Sequence, residues 1–232
     1  MKRKGILISL FLAFLLFSPP QGNTQTTTGS ATPVRTTLRE TLQEKRQTIR
    51  EDMQATITME RKEAKEKFKA LRETFKKRLA ELKDEKRKML VARIDEKMTA
   101  INKRRTDHMA SVLEKLNEIL KRIEDKANAA KGQGVDTATV DAAIQSAHDA
   151  IATASNAVTA QAGKDYVITI GDETGIKNAV GQAMSGLQND LRNTHKLVVD
   201  AKQAVMKAAR ELAKTVGKHT IKENKTASEE AQ

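Results

Sequence analysis

Leu82–Arg105, LKDEKRKMLVARIDEKMTAINKRR, is the stretch whose reading decides the architecture of this chain. It sits in a run from Val34 to Lys131 that contains no glycine and no proline, and it is densely charged with bases in excess. Leu90, Ile94, Met98 and Ile101 recur at steps of three and four, a spacing that lays them along one stripe of a helix. Toward the amino terminus the stripe continues as Phe68, Leu71, Phe75, Leu79 and Leu82. Toward the carboxyl terminus it continues as Met109, Val112, Leu116, Ile119, Ile123 and Ala127. The first breakers are Gly132 and Gly134, so the pattern predicts one helix from about Thr37 to Lys131, roughly 140 Å long at about 1.5 Å per residue. Acid-before-base pairs four residues apart support it: Glu63 with Lys67, Glu73 with Lys77, Asp84 with Lys88 and Glu118 with Arg122. A kink or a turn is expected at Thr56-Ile57-Thr58 or at Arg104–Asp107, where β-branched residues or charges interrupt the stripe.

Two further helices follow. Asp136 is placed to cap one over about 137–162, with a narrow stripe of Val140, Ile144, Ala147, Ile151, Ala154 and Val158. Asp172 is placed to cap another over about 173–216, with Ile176, Val180, Met184, Leu187, Leu191, Val198, Val205 and Leu212 in line and Gly217 at its end. Gly181 and Gly186 are unfavourable inside a helix, so they are expected to face the Ala-rich second helix at close range. The predicted fold class is all-α: a long basic helix continuing into an antiparallel three-helix bundle with coiled-coil character. In this reading residues 88–217 form the bundle, 38–87 protrude as a basic helix, and 218–232 are a disordered tail. The protruding half has no partner in the chain, so Phe68, Leu71, Phe75, Leu79 and Leu82 are candidates for self-association, for folding back, or for binding another helical protein. Between the last two helices YVITI, Tyr166–Ile170, reads as an extended connection that buries Val167 and Ile168 or Ile170, or as a strand for a second copy or a target.

Composition narrows the class. Only 3% of the 232 residues are aromatic and 38% are hydrophobic, a palette for helix-on-helix packing rather than an irregular globular core. The net charge of +12 is concentrated in Arg35–Lys131, which holds 28 Lys and Arg against 18 Asp and Glu, whereas residues 132–217 are near neutral. Such asymmetry points to an acidic partner, whether nucleic acid, an anionic polymer or an anionic membrane surface.

The chain opens with Lys2, Arg3 and Lys4, then about twelve apolar or small residues ending at Phe17, the layout of a secretory signal. As a helix this segment spans roughly 18 Å against about 30 Å of hydrocarbon, which favours a signal over a permanent span. Residues 1–22 are read as a signal peptide or uncleaved anchor, and the Thr-rich 23–37 as a flexible tether. Export to the cell surface, periplasm or exterior is expected. With no cysteine, disulfides and a lipidated cysteine are excluded.

Motifs for chemistry are lacking. His108, His148, His195 and His219 are scattered without metal-ligand spacing, although His148 and His195 could approach each other in a bundle. GDETGIKN, Gly171–Asn178, lacks the spacing of a phosphate loop and reads as a helix start. Asn224-Lys225-Thr226 fits a glycosylation acceptor. No catalytic residue, cofactor or metal site is implied, and the chain is expected not to be an enzyme. What remains is a cationic rod: Lys76, Lys77, Arg78, Lys83, Lys86, Arg87, Lys88, Arg93, Lys97, Lys103, Arg104 and Arg105 are the candidates for contact with a polyanion. Interspersed acids dilute the field, and aromatic residues that stack on single-stranded bases are missing.

At RIDEKMTAINKRRTDHM, Arg93–Met109, and AKQAVMKAARELAK, Ala201–Lys214, the chain resembles uncharacterised exported helical proteins of bacteria, a group that implies a coiled-coil or bundle fold and has no known activity to carry over. In architecture alone it is also similar to periplasmic holdase chaperones. Three functions follow as expectations: an exported structural or adaptor protein acting through helix association and a basic face, a polyanion-binding module for extracellular DNA or an anionic envelope polymer, and a holdase.

Overall fold

The computed structural model describes residues 32–171 and 174–229. They form four helices and no strand: α1 (Thr32–Ala80), α2 (Glu85–Gly132), α3 (Ala138–Ala162) and α4 (Ile176–Glu229). Described residues from 41 onward make one compact unit, and 32–40 belong to a separate one. The expected signal lies outside the described residues. Of the expected tether, 32–37 are helical, with Pro33 in the first turn of α1, where its missing N–H breaks no helical hydrogen bond.

The single rod expected over 37–131 is two helices. α1 stops at Ala80 with Lys77 and Arg78 in its last turn, favourably placed at the carbonyl end. Asp84 then takes an extended conformation (φ −84°, ψ 103°), and its carboxylate accepts from the backbone N–H of Lys86 at 3.0 Å and of Arg87 at 3.2 Å. That is an N-cap, reinforced by Glu85 in the first turn of α2. Leu82, in the turn itself, is buried and pins the reversal to the core. Asp84 is thus committed to the helix end, and Lys88 pairs with Glu85 instead. No turn interrupts the helix at either expected weak point: Thr56, Thr58 and Thr106 each donate to the carbonyl four residues earlier, at 2.8, 2.7 and 2.9 Å. These β-branched residues satisfy their hydroxyls inside the helix, as threonine does without breaking it.

Folding back brings α1 antiparallel against α2. Arg50 meets Glu114 at 3.5 Å, Arg61 meets Asp107 at 2.7 Å, and Arg72 meets Asp95, so each advance along α1 is a retreat along α2. Of the expected protruding helix 38–87, the part from Arg50 to Leu82 therefore does not protrude. Ile57 and Ala64 are buried along α1, as are Phe75 and Leu82 toward its end and in the turn beyond.

The core has two halves. In one, α2, α3 and α4 pack Leu113, Leu120, Val140, Ala147, Ala154, Val158, Ala201 and Val205, with Ile57 of α1 joining them. Alanines on α3 and α4 let the backbones approach closely. In the other half α3 has ended at its cap, Gly163, and the segment 164–171 takes its place. Ile168 and Ile170 point inward beside Phe75, Leu82, Val91, Met98, Ile176 and Leu187, while Thr169 between them is exposed. This is the period-two alternation of extended backbone, used here without strand pairing. Gly181 and Gly186 do not face α3 as expected. A Cβ at Gly181 would meet nothing within 4 Å, and one at Gly186 would touch the Tyr166 ring at 3.8 Å. Nor does the last helix end at Gly217, since α4 continues to Glu229 through residues expected to be a disordered tail. Asp136 accepts from the N–H of Ala138 at 3.0 Å at the start of α3, while the expected cap Asp172 lies outside the described residues.

Candidate functional site

The alternating 3-4 spacing of α1 has a polar counterpart to its apolar stripe. Lys62, Lys65, Lys69, Arg72 and Lys76 fall on one face of the helix, and between Lys62 and Lys76 they cover roughly 21 Å at about 1.5 Å per residue. They line one side of an open trough of about 1000 Å³, whose other wall is α2 and the end of α3 with Lys103, Lys164 and Asp165. Eight Lys and Arg border the trough against four carboxylates. Those carboxylates are largely spent: Asp95 and Asp165 both clasp Arg72, and Glu73 holds Lys76 at 3.0 Å. Lys62, Lys65 and Lys69 form no ion pair among the described residues and are exposed.

Arg72 is the structural centre of the trough. Its guanidinium donates from Nε to Asp165 Oδ2 at 2.8 Å, makes a second contact with Asp165, and contacts Asp95 through Nη1. The fork geometry of arginine allows one cation to join α1, α2 and the connection after α3. Hydrogen bonding to Asp165, partly opposed by burial, holds the guanidinium pKa above its usual value. Burial pushes the Asp95 carboxyl above the ordinary range even though Arg72 works against it. One reason is visible: Asp95 Oδ1 is buried and has no hydrogen-bond partner among the described residues.

Beside it a second polar cluster closes the end of α3. Asn102 donates to the carbonyls of Gln161 at 3.1 Å and Lys164 at 3.0 Å, satisfying groups that a helix end leaves open. Gln161 donates to Asn102 Oδ1 at 2.9 Å and to the Tyr166 hydroxyl at 2.8 Å, and that hydroxyl donates to Asp190 at 2.7 Å. Burial drives the Tyr166 phenol far above its ordinary range, so it stays a neutral donor. Burial tends to raise Asp190, but hydrogen bonds from Lys164 and Tyr166 outweigh it and hold the carboxyl low. Asp107 is likewise held low by Lys103 and Arg61 against burial. Apart from Asp95 Oδ1, these clusters are satisfied structural joints.

The twelve cations expected to meet a polyanion are distributed unevenly. Lys76, Arg78, Arg87, Lys88 and Lys103 have carboxylate partners in Glu73, Glu81, Asp84, Glu85 and Asp107. Lys77, Lys83, Lys86, Arg93, Lys97 and Arg104 are exposed. Residues 76–88, the tip of the α1–α2 hairpin, carry seven Lys and Arg against three Asp and Glu. Arg105 is exposed as well and lines a groove between α2 and α4. Lys62, Lys65 and Lys69 were absent from the sequence-derived set; the signal that marks them is their own 3-4 spacing in phase with Arg72 and Lys76. The candidate self-association stripe is mostly consumed within the chain. Phe75 and Leu82 are core, Phe68 and Leu79 are half-buried, and Leu71 is exposed. Phe75 and Leu82 are therefore not available to a second copy.

Histidines fall in different places. His148 contacts Glu124, while His108 and His195 line the same α2–α4 groove, so the pair brought together is not the one expected. Among the described residues there is no group of three or more potential metal ligands, and no helix long and apolar enough to cross a membrane. No protein-family model, no curated protein and no solved structure matches the chain.

Proposed function

We propose that the chain is an exported, non-enzymatic adaptor that holds an anionic polymer along α1. The observation that carries the reading is the trough, where Lys62, Lys65 and Lys69 form no ion pair among the described residues and stand in phase with Arg72 and Lys76, while three of the four carboxylates that line it, Glu73, Asp95 and Asp165, are engaged by Lys76 and Arg72. A polymer with charges repeated along its backbone releases counterions on such a face, which supplies affinity without base-specific contacts. Bundle packing supplies stiffness, and the cap at Asp84 fixes the hairpin that displays the charges. Export rests on Lys2, Arg3, Lys4 and the apolar run to Phe17. A holdase gains little support, because α1 lays its apolar side on the bundle rather than leaving a clamp open.

A labelled DNA duplex serves as the test polymer in fluorescence anisotropy across a salt series. Binding by the full chain is expected to weaken steeply with salt, and Lys65→Glu/Lys69→Glu is expected to flatten the log–log slope by about 2, at about 0.9 per phosphate contact. Absence of binding at low salt, or an unchanged slope in the double variant, sinks the proposal. A second reading is favoured by one observation: Met89 and Leu90 are 64% and 57% exposed next to Lys86, Arg87 and Lys88 at the hairpin tip. Basic residues beside exposed apolar ones suit an anionic membrane surface. Co-sedimentation with anionic vesicles that is lost in Met89→Ser/Leu90→Ser, while duplex binding is kept, selects that reading.

A further inference from the structure

The α2–α4 seam carries an arrangement unlike the rest of the surface. The 3-residue step from Arg105 to His108 puts both on one face of α2, and the 4- and 3-residue steps through Gln188, Arg192 and His195 put those three on one face of α4. The two faces meet across a groove of about 480 Å³. Its floor is apolar, formed by Met109 and Leu187, which are buried, with Met184 and Leu191 half-buried at its sides. No carboxylate lines it.

Elsewhere the arginines that cross between helices are neutralised: Arg50 by Glu114, Arg61 by Asp107, Arg72 by Asp95 and Asp165. Arg105, Arg192, His108, His195 and Gln188 make no ion pair or side-chain hydrogen bond among the described residues. The nearest acids in sequence are turned away, Asp107 toward Arg61 and Lys103, and Asp190 toward Tyr166 and Lys164. Two guanidiniums and a neutral amide donor lining one groove with an aliphatic floor match one ligand chemistry: an anionic head with a single alkyl chain. Guanidinium forks take a carboxylate by paired, charge-assisted hydrogen bonds. The groove volume falls in the range of small-molecule sites. A second hollow farther along the same seam, near Ile119 and Val216, is lined by Lys126 and by one arginine, Arg122, which is paired with Glu118, so it offers no pair of guanidiniums.

We infer that the α2–α4 groove binds a free fatty carboxylate, its head between Arg105 and Arg192 and its chain along Met184, Leu187 and Leu191. This site is separate from the α1 trough and does not rest on the adaptor reading. Calorimetric titration of the full chain with dodecanoate below its micelle concentration tests it. One equivalent binds, acetate and dodecanol each bind at least tenfold more weakly, Arg105→Gln/Arg192→Gln weakens dodecanoate at least tenfold, and Lys65→Glu/Lys69→Glu leaves it unchanged. Both arginines are exposed, so the double variant keeps the wild-type circular dichroism spectrum. Met184→Gln gives an independent reading, lowering affinity for dodecanoate without creating affinity for acetate. Dodecanol binding as tightly as dodecanoate overturns the proposal, as does wild-type affinity in the double arginine variant. A dimer whose strength follows the same two arginines also overturns it, since the groove then belongs to a second copy.

Discussion

Replacing Arg72 by methionine isolates the joint that ties the hairpin to the bundle. Methionine keeps much of the aliphatic volume but leaves Asp95 and Asp165 facing each other with no cation between them. Their side chains are only 10% and 20% exposed, and the Arg72 side chain is 23% exposed. Removing one partner of a buried ion pair costs about 3–5 kcal/mol, and the residual solvent access here sets the expectation at the low end, about 3 kcal/mol. For a domain of this size that lowers Tm by about 6–12 °C. The pH dependence is the sharper test. Burial already raises Asp95, while Arg72 opposes it; in the variant burial and the neighbouring Asp165 and Glu96 all act in the same direction. A carboxyl raised on folding contributes stability at low pH and loses it as pH rises through its folded pKa. The wild type carries a small version of this penalty at neutral pH, and Arg72→Met carries a larger one. The stability gap between the two proteins should therefore narrow from about pH 7 to about pH 4.5, and Asp95→Asn in the Arg72→Met background should recover at least about 1 kcal/mol by removing the orphaned charge. Urea titrations followed by circular dichroism measure all three proteins. A gap below about 0.5 kcal/mol at neutral pH, the scale of an ordinary surface change, or a gap that does not narrow on acidification, would refute the reasoning.

Ile168→Ala removes a fully buried side chain from the extended segment that stands in for α3, and should cost about 2–5 kcal/mol in the same titrations; a cost below about 1 kcal/mol would mean the segment is not part of the core. Gly181→Ala, at a helical position where a Cβ meets nothing, should stabilise the protein by about 0.5–1 kcal/mol and raise Tm by about 1–4 °C, and a loss of stability would show that the position is crowded after all.

Periodicity in the sequence was enough to specify helices, because each stripe is a local property of one segment. The stripes of α2 and α4, the breakers at Gly132 and Gly134 and the carboxylate at Asp136 are all legible in this way. The hairpin turn was hidden because its chain reversal uses no glycine or proline. Asp84 and Glu85 do carry the signature of a helix start, but in a segment crowded with charge they read equally well as one half of a salt-bridged helical surface. The track of Lys62, Lys65 and Lys69 was overlooked for a related reason: charge alternates with opposite charge all along α1, and only the engagement of Asp95 and Asp165 by Arg72 shows which bases remain unpaired.

The alphabet of this chain, aliphatic and alanine-rich with few aromatics and an uneven basic charge, by itself determined that it packs helix on helix and displays cations on its first half. Tertiary structure decided where those helices point. Whether Phe75 and Leu82 lie outside as a surface for another molecule or inside as core depends on whether α1 runs on or turns back. That choice rests on contacts between residues far apart in sequence, Arg72 with Asp95 and Asp165, and Leu82 among the core side chains it meets in the turn, which no local pattern encodes.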